Sequence, residues 1–172
     1  MAASRLFVSH SAADRAWAEW ITWQLCAAGY DATFAPWDFV AGDNTVARTN
    51  AALATVDRLL ALCSPAYLES WPCQEEWQAL WRRSRDRAGG RGPVLPVLIG
   101  PCELPPLLAA VRPVDLTGYR GEADARARLL DGVAGRARPA RAPLFPAARR
   151  PPRYRPPPAP GGPPPPAETP AH

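Results

Sequence analysis

Short apolar runs alternate along the chain with amphipathic stretches, the pattern of βα units. The first run is Leu6-Phe7-Val8. Ser11, with Asp14 three residues on, resembles a capping box opening a helix, in which Trp17, Trp20, Ile21, Gln24 and Leu25 recur at helical spacing and Ala28-Gly29 mark the end. Asp31 to Ala35 fits a second strand, and Asp43 or Asn44 caps a second helix running to about Ala54. Leu59 to Cys63 is apolar without alternation, as expected for a central parallel strand covered on both faces. A third helix is expected from about Pro72 to Arg85, with Trp77, Leu80 and Trp81 on one face, followed by an Arg- and Gly-rich surface loop over 82–92. Val94 to Ile99 predicts a fourth strand, placed near a sheet edge by Pro96. Val114 to Leu116 is a weak fifth strand, and Glu122 to Val133 a last helix.

Five strands and four helices in strict alternation predict an α/β fold, a flavodoxin-like doubly wound five-stranded parallel sheet of order 2-1-3-4-5 with helices on both faces. In that order strand 1 lies between strands 2 and 3. The loops leaving the C-terminal ends of these three strands then share the crevice where ligands bind. Those loops are Ser9-His10-Ser11, Pro36 to Asp43 and Ser64 to Cys73, the most distinctive stretches of the sequence.

Composition divides the chain. Of its 23 prolines, 14 lie between Pro139 and His172. From Arg136 onward seven arginines face one acid, Glu168, a local +6 against a total of +4, so residues 1–135 carry about −2. The expected organisation is a folded domain over 4–134 and a disordered Pro/Arg-rich tail over 136–172, a polyproline-like tether open to a further partner. A nearly neutral domain lacks the basic face of a specific nucleic-acid binder. Four cysteines without CxxC spacing, and His10 and His172 as the only histidines, give no metal site. Neither a secretory leader nor an apolar run of membrane-span length is present, so the expectation is a soluble, cytoplasmic, reduced protein.

The familiar phosphate signatures are missing: no GxxxxGK[ST], in a chain without lysine, and no GxGxxG after the first strand. What the sequence does hold is three stretches in order: Phe7-Val8-Ser9-His10-Ser11 with Asp14, Trp37-Asp38-Phe39-Val40-Ala41-Gly42-Asp43, and a series Ser64, Tyr67, Ser70, Trp71, Pro72, Cys73, Gln74, Glu75, Glu76, Trp77. Together they resemble the TIR (Toll/interleukin receptor) domain family in its bacterial form, over roughly residues 4–134. The second stretch is similar to the family's BB loop, the third to the motif in which a Ser/Tyr/Ser series leads through Trp-Cys to a catalytic glutamate.

The resemblance implies an NAD⁺ nucleosidase that cleaves the nicotinamide–ribose bond to ADP-ribose or a cyclic product, with NAD⁺ as substrate and no cofactor. It implies a signalling or antiphage defence effector activated by TIR–TIR self-association. Glu76 is the implied catalytic residue. Pro72 separates Trp71 from Cys73, where the family usually joins them, so counting from Trp71 selects Glu75 instead, while Ser64, Tyr67, Ser70 and Cys73 select Glu76. Ser9, His10, Ser11, Trp37, Asp38, Trp71 and Cys73 are the candidate substrate-binding residues. The first three offer donors to a diphosphate and Trp37 a face for a base, although Trp37 fits packing against the second helix equally well, His10 an ordinary loop position, and Cys73 a small buried hydrophobe.

One carboxylate suffices for this reaction. Glycosidases generally need two, because one must protonate a poor leaving group. Nicotinamide leaves neutral from a pyridinium cation, so the remaining task is stabilising an oxocarbenium-like ribose. Glu76 near a helix start is expected to be kept ionised by the helix dipole. The competing function is a non-catalytic TIR–TIR interaction module.

Overall fold

The computed structural model describes residues 4–83, 92–119 and 121–136; most of the 82–92 loop and all of the tail beyond Arg136 lie outside them. The sheet has five strands, all parallel: β1 (Arg5–Ser9), β2 (Asp31–Thr33), β3 (Arg58–Cys63), β4 (Val94–Leu98) and β5 (Val114–Asp115), in the order β2-β1-β3-β4-β5 that the alternation predicts.

Side-chain parity divides the core into two layers. Leu6, Val8, Leu60, Leu62, Leu95 and Val97 face α1 (Arg15–Ala27) and α7 (Glu122–Ala134), which supply Ile21, Leu25, Leu129 and Val133. Phe7, Leu59, Ala61, Cys63 and Val94 face the opposite way, with Leu53 of α3 (Thr45–Thr55), Tyr67 of α4 (Pro65–Glu69), and Cys73, Trp77 and Leu80 of α5 (Trp71–Arg83). The unbroken apolar run of β3 is thereby covered on both faces. Ser9 shares the parity of Phe7, so β1 delivers its last side chain to the α5 side.

Several local expectations need correction. Ser11 does not cap a helix: its hydroxyl donates to the Asp14 carboxylate at 2.5 Å, and a single 3₁₀ turn, Ala12–Asp14, precedes α1. β2 stops at Thr33 rather than Ala35. The Asp38 carboxylate accepts from Phe34 N at 2.6 Å, and the chain turns into the short helix α2 (Ala35–Asp38), with Pro36 in its first turn. Of the two expected caps, Asp43 and Asn44, it is Asn44 that caps α3, accepting from Ala47 N at 3.0 Å, as one of the two alternatives has it. A further short helix, α6 (Pro106–Ala109), lies between β4 and β5.

Pro96 sits on β4, the strand next to the edge, and its neighbour β5 is only two residues long, beginning opposite Val97. Ile99 N donates to Cys63 O, so alternation turns the nitrogen of Pro96 away from β3, toward the side where β5 has not yet begun to pair. The missing N–H therefore costs no ladder bond.

Gly132 lies against Val114, and a methyl group at that position would overlap the branched side chain of this buried residue. Gly→Ala in an exposed helix interior stabilises by about 1 kcal/mol. Here overpacking of about 1–3 kcal/mol outweighs that gain, because Val114 is stiff at χ1 and its strand is fixed by pairing. Gly132→Ala is expected to lower the urea midpoint; a midpoint that rises would show that β5 yields freely.

Candidate functional site

The C-terminal ends of β1 and β2, with the segments that follow them, enclose a cavity of about 450 Å³. Phe7, Val8 and His10 line it at the end of β1. Ala35, Pro36, Phe39, Val40 and Ala41 line one side, Thr45 and Thr49 of α3 another, and Glu76 of α5 closes it. The volume is of the size that holds a small organic ligand, roughly 300–1,000 Å³. Its position is the topological switch point, where strand order reverses on either side of β1.

Glu76 reaches this cavity because of its spacing. Cys73, Trp77 and Leu80 form the buried stripe of α5, and Glu76 lies three after the first and four before the last, on the same face. Glu75, one residue earlier, is exposed. The Glu76 Oε2 accepts from Ser9 Oγ at 2.6 Å, and Ser9 Oγ lies 2.9 Å from the Tyr67 hydroxyl. A serine hydroxyl has one proton to give. With that proton on Glu76, Tyr67 donates to Ser9, and the chain runs Tyr67 to Ser9 to Glu76. Tyr67 is wholly buried and Ser9 1% exposed. Burial also drives the tyrosine pKa well above its ordinary value, so the phenol keeps its proton.

The electrostatics of Glu76 differ from expectation. It is the sixth residue of α5, beyond the first turn where the helix dipole acts. Burial raises its pKa above the ordinary 4.5, and the Ser9 hydrogen bond pulls it part of the way back. The carboxylate is thus held by Ser9 rather than by the helix end. Burial likewise lowers the pKa of His10 below 6.5, leaving a neutral imidazole at pH 7 with its ring 4.9 Å from that of Phe34.

The other candidates fall around the cavity rather than on its wall. Ser11 and Ser64 both donate to Asp14 Oδ2, at 2.5 and 2.6 Å, and Ser64 Oγ also accepts from Tyr67 N at 3.0 Å. This clamp joins the loops that follow β1 and β3. Cys73 is buried, its thiol 3.3 Å from His10 O and its pKa raised by burial, so it behaves as the small hydrophobe of one sequence expectation. Asp38 holds the start of α2 through Phe34 N. Trp37 stands edge-on to Phe34 at 5.1 Å and is 48% exposed, while Trp71 is 70% exposed at the start of α5. In the loop before α3, Gly42 takes φ +95°, and the Asp43 carboxylate accepts from Val40 N at 3.0 Å, which explains the Gly-Asp pair as a turn. The sequence reading missed Thr45 and Thr49 as wall residues and Asp14 as the clamp.

Asp14→Ala strips Ser11 and Ser64, both buried, of their shared acceptor. A loss of about 1–3 kcal/mol is expected, seen as a lower denaturant midpoint at unchanged slope. An unchanged midpoint would mean that water replaces the carboxylate.

A doubly wound α/β domain with a small-molecule cavity at its switch point, walled by a half-buried carboxylate, is the class that fold and site define. The chain belongs to the TIR domain family, whose model matches residues 6–130. TIR domains are signalling modules that commonly self-associate, and some members cleave NAD⁺. Among solved structures, the TIR domain of the Toll-related receptor TRR-2 from Hydra magnipapillata is similar at 18% identity and a TM-score of 0.61, covering 76% of this chain and 94% of that one. A metazoan TIR-STING receptor from C. gigas, solved in complex with 2′,3′-cGAMP, is similar at 24% identity and a TM-score of 0.56, over 72% of this chain and 38% of that one. At these identities the likeness is one of fold. No curated protein matches the chain. Among the described residues, no helix is long and apolar enough to cross a membrane, and no group of His, Cys, Asp and Glu could hold a metal ion.

Proposed function

We propose that this TIR domain is an NAD⁺ nucleosidase in which Glu76 stabilises the developing ribose cation as nicotinamide departs. The observation that carries this reading is the Glu76 carboxylate on the wall of the switch-point cavity, its Oε2 held at 2.6 Å by Ser9. One carboxylate in a poorly solvated site meets the needs of the reaction: the leaving group is neutral, and a charge desolvated in advance acts strongly on a developing cation. Thr45 and Thr49 offer hydroxyls and His10 a neutral ring to the remainder of the dinucleotide. Val40 of the cavity lining, 69% exposed, and the exposed Trp37 and Val46 in the segments on either side of it in sequence supply apolar surface for self-association, through which activity rises with concentration. The same exposed surface favours the second reading, a TIR–TIR interaction module without catalysis.

The test is incubation of concentrated protein with NAD⁺, following nicotinamide by chromatography for the wild type, Glu76→Ala and Glu75→Ala. Release lost only in Glu76→Ala supports the proposal. Loss only in Glu75→Ala moves the catalytic role to the exposed neighbour. No release from the concentrated wild type favours the interaction module. A cytoplasmic defence effector that depletes NAD⁺ is the biological role consistent with such an enzyme.

A further inference from the structure

A second cavity, of about 250 Å³, lies at the opposite end of the sheet, where β3, β4 and β5 begin and α7 ends. Its walls include Leu95 and Val114 and four arginines: Arg58, Arg112, Arg128 and Arg136. Among the described residues no carboxylate lines it. Four arginines line one small space, while the sequence as a whole gives residues 1–135 a charge of about −2, so the clustering is not a general excess of positive charge.

Neighbouring groups account for part of the cluster. Arg136 Nη1 is 3.4 Å from Asp131 Oδ1 and sits beside the carbonyl end of α7, where a cation is favoured. Arg58 has other interactions within the protein. Arg112 and Arg128 form no ion pair within 4.0 Å among the described residues. Asp115 feels Arg128 only as its weakest influence, its carboxylate being taken up by the N–H and hydroxyl of Thr117 at 2.9 and 2.7 Å.

We infer that this cavity is a binding site for a phosphoanion with two phosphoryl groups, gripped by Arg112 and Arg128. A guanidinium presents a planar fork of donors that matches one phosphoryl group, and two forks on one cavity match a diphosphate. Leu95 and Val114 add apolar side chains to the lining, and among the described residues no carboxylate there competes with the anion for the two arginines. The site stands apart from the Glu76 cavity and does not depend on NAD⁺ cleavage.

The experiment is titration of the full chain, in buffer free of phosphate and sulfate, with inorganic pyrophosphate and separately with ADP, read by calorimetry and by the melting temperature. Millimolar pyrophosphate is expected to raise the melting temperature by about 4 °C. Arg112→Gln and Arg128→Gln should each weaken binding at least about tenfold, consistent with loss of a charge-assisted pair. The double variant should melt no lower than the wild type without ligand, since like-charge repulsion is relieved. Arg15→Gln/Arg82→Gln, which removes two exposed charges elsewhere, should bind as the wild type does. Equal affinity for both ligands identifies the diphosphate itself as what is bound, and stronger ADP binding a nucleotide source. Binding of neither, or equal losses in the control variant, overturns the site.

Discussion

Glu76→Gln is expected to abolish nicotinamide release while raising the melting temperature at neutral pH. The two effects share one cause. The carboxylate is desolvated on the cavity wall, and burial raises its pKa above 4.5. A carboxyl whose folded pKa exceeds its unfolded value penalises the folded state once it ionises. That penalty is absent below about pH 4.5, grows as pH rises toward the folded pKa, and is complete above it. Glutamine keeps an oxygen for Ser9 but carries no charge, so the gap between the two melting curves should open above pH 4.5 and persist at pH 7. A gain of about 1 kcal/mol, roughly 3–5 °C for a domain of this size, is the expected scale. Catalysis moves the other way: removing one preorganised electrostatic group costs about 100- to 1,000-fold. A variant less stable than the wild type, at every pH, would show that the carboxylate is not strained by burial. Loss of activity together with loss of fold would say nothing of chemistry, which is why the melting curve accompanies the assay.

The sheet was legible because alternation of apolar runs with amphipathic stretches, and the unbroken apolar strand Leu59–Cys63, fix a doubly wound parallel sheet on physical grounds. The candidate site was partly legible for the same reason. Parity along β1 puts Ser9 on the face of Phe7, and helical spacing puts Glu76 with Cys73, Trp77 and Leu80, so the meeting of the two was implicit in the pattern. It also distinguishes Glu76 from Glu75 by direction, independently of the Trp71-Pro72-Cys73 irregularity. Three features were missed. The short helices α2, α4 and α6 each carry proline in the first turn, at Pro36, Pro65 and Pro106, and proline there is a start signal as much as a breaker. Asp14 looked like half of a local capping box, yet its second partner, Ser64, is 50 residues away and only the sheet brings it near. The ionisation of Glu76 was misjudged because burial by neighbouring elements has no local signature, whereas the helix dipole does.

Ser9→Ala is expected to move the acid limb of the pH–rate profile to higher pH and to destabilise the fold. The Ser9 hydroxyl is the one influence that lowers the Glu76 pKa against burial. Without it the carboxylate is protonated over a wider range, so the activity that requires the ionised form falls away at a pH nearer neutral, with the loss relative to the wild type greatest on the acid limb and shrinking as pH rises. The stability cost has a different origin. Tyr67, fully buried, loses the one acceptor its hydroxyl has among the described residues, and an orphaned buried donor costs about 1–3 kcal/mol. Tyr67→Phe separates the two consequences. In the double variant Ser9→Ala/Tyr67→Phe no donor is orphaned, so below about pH 4.5, where Glu76 carries no charge, stability should return to within about 1 kcal/mol of the wild type while the pH profile stays displaced. Ser9 acts through Glu76 and is thus a positioning residue. Should the double variant recover the wild-type profile as well as its stability, the chain from Tyr67 to Glu76 is packing alone, and the ionisation of Glu76 is set entirely by burial.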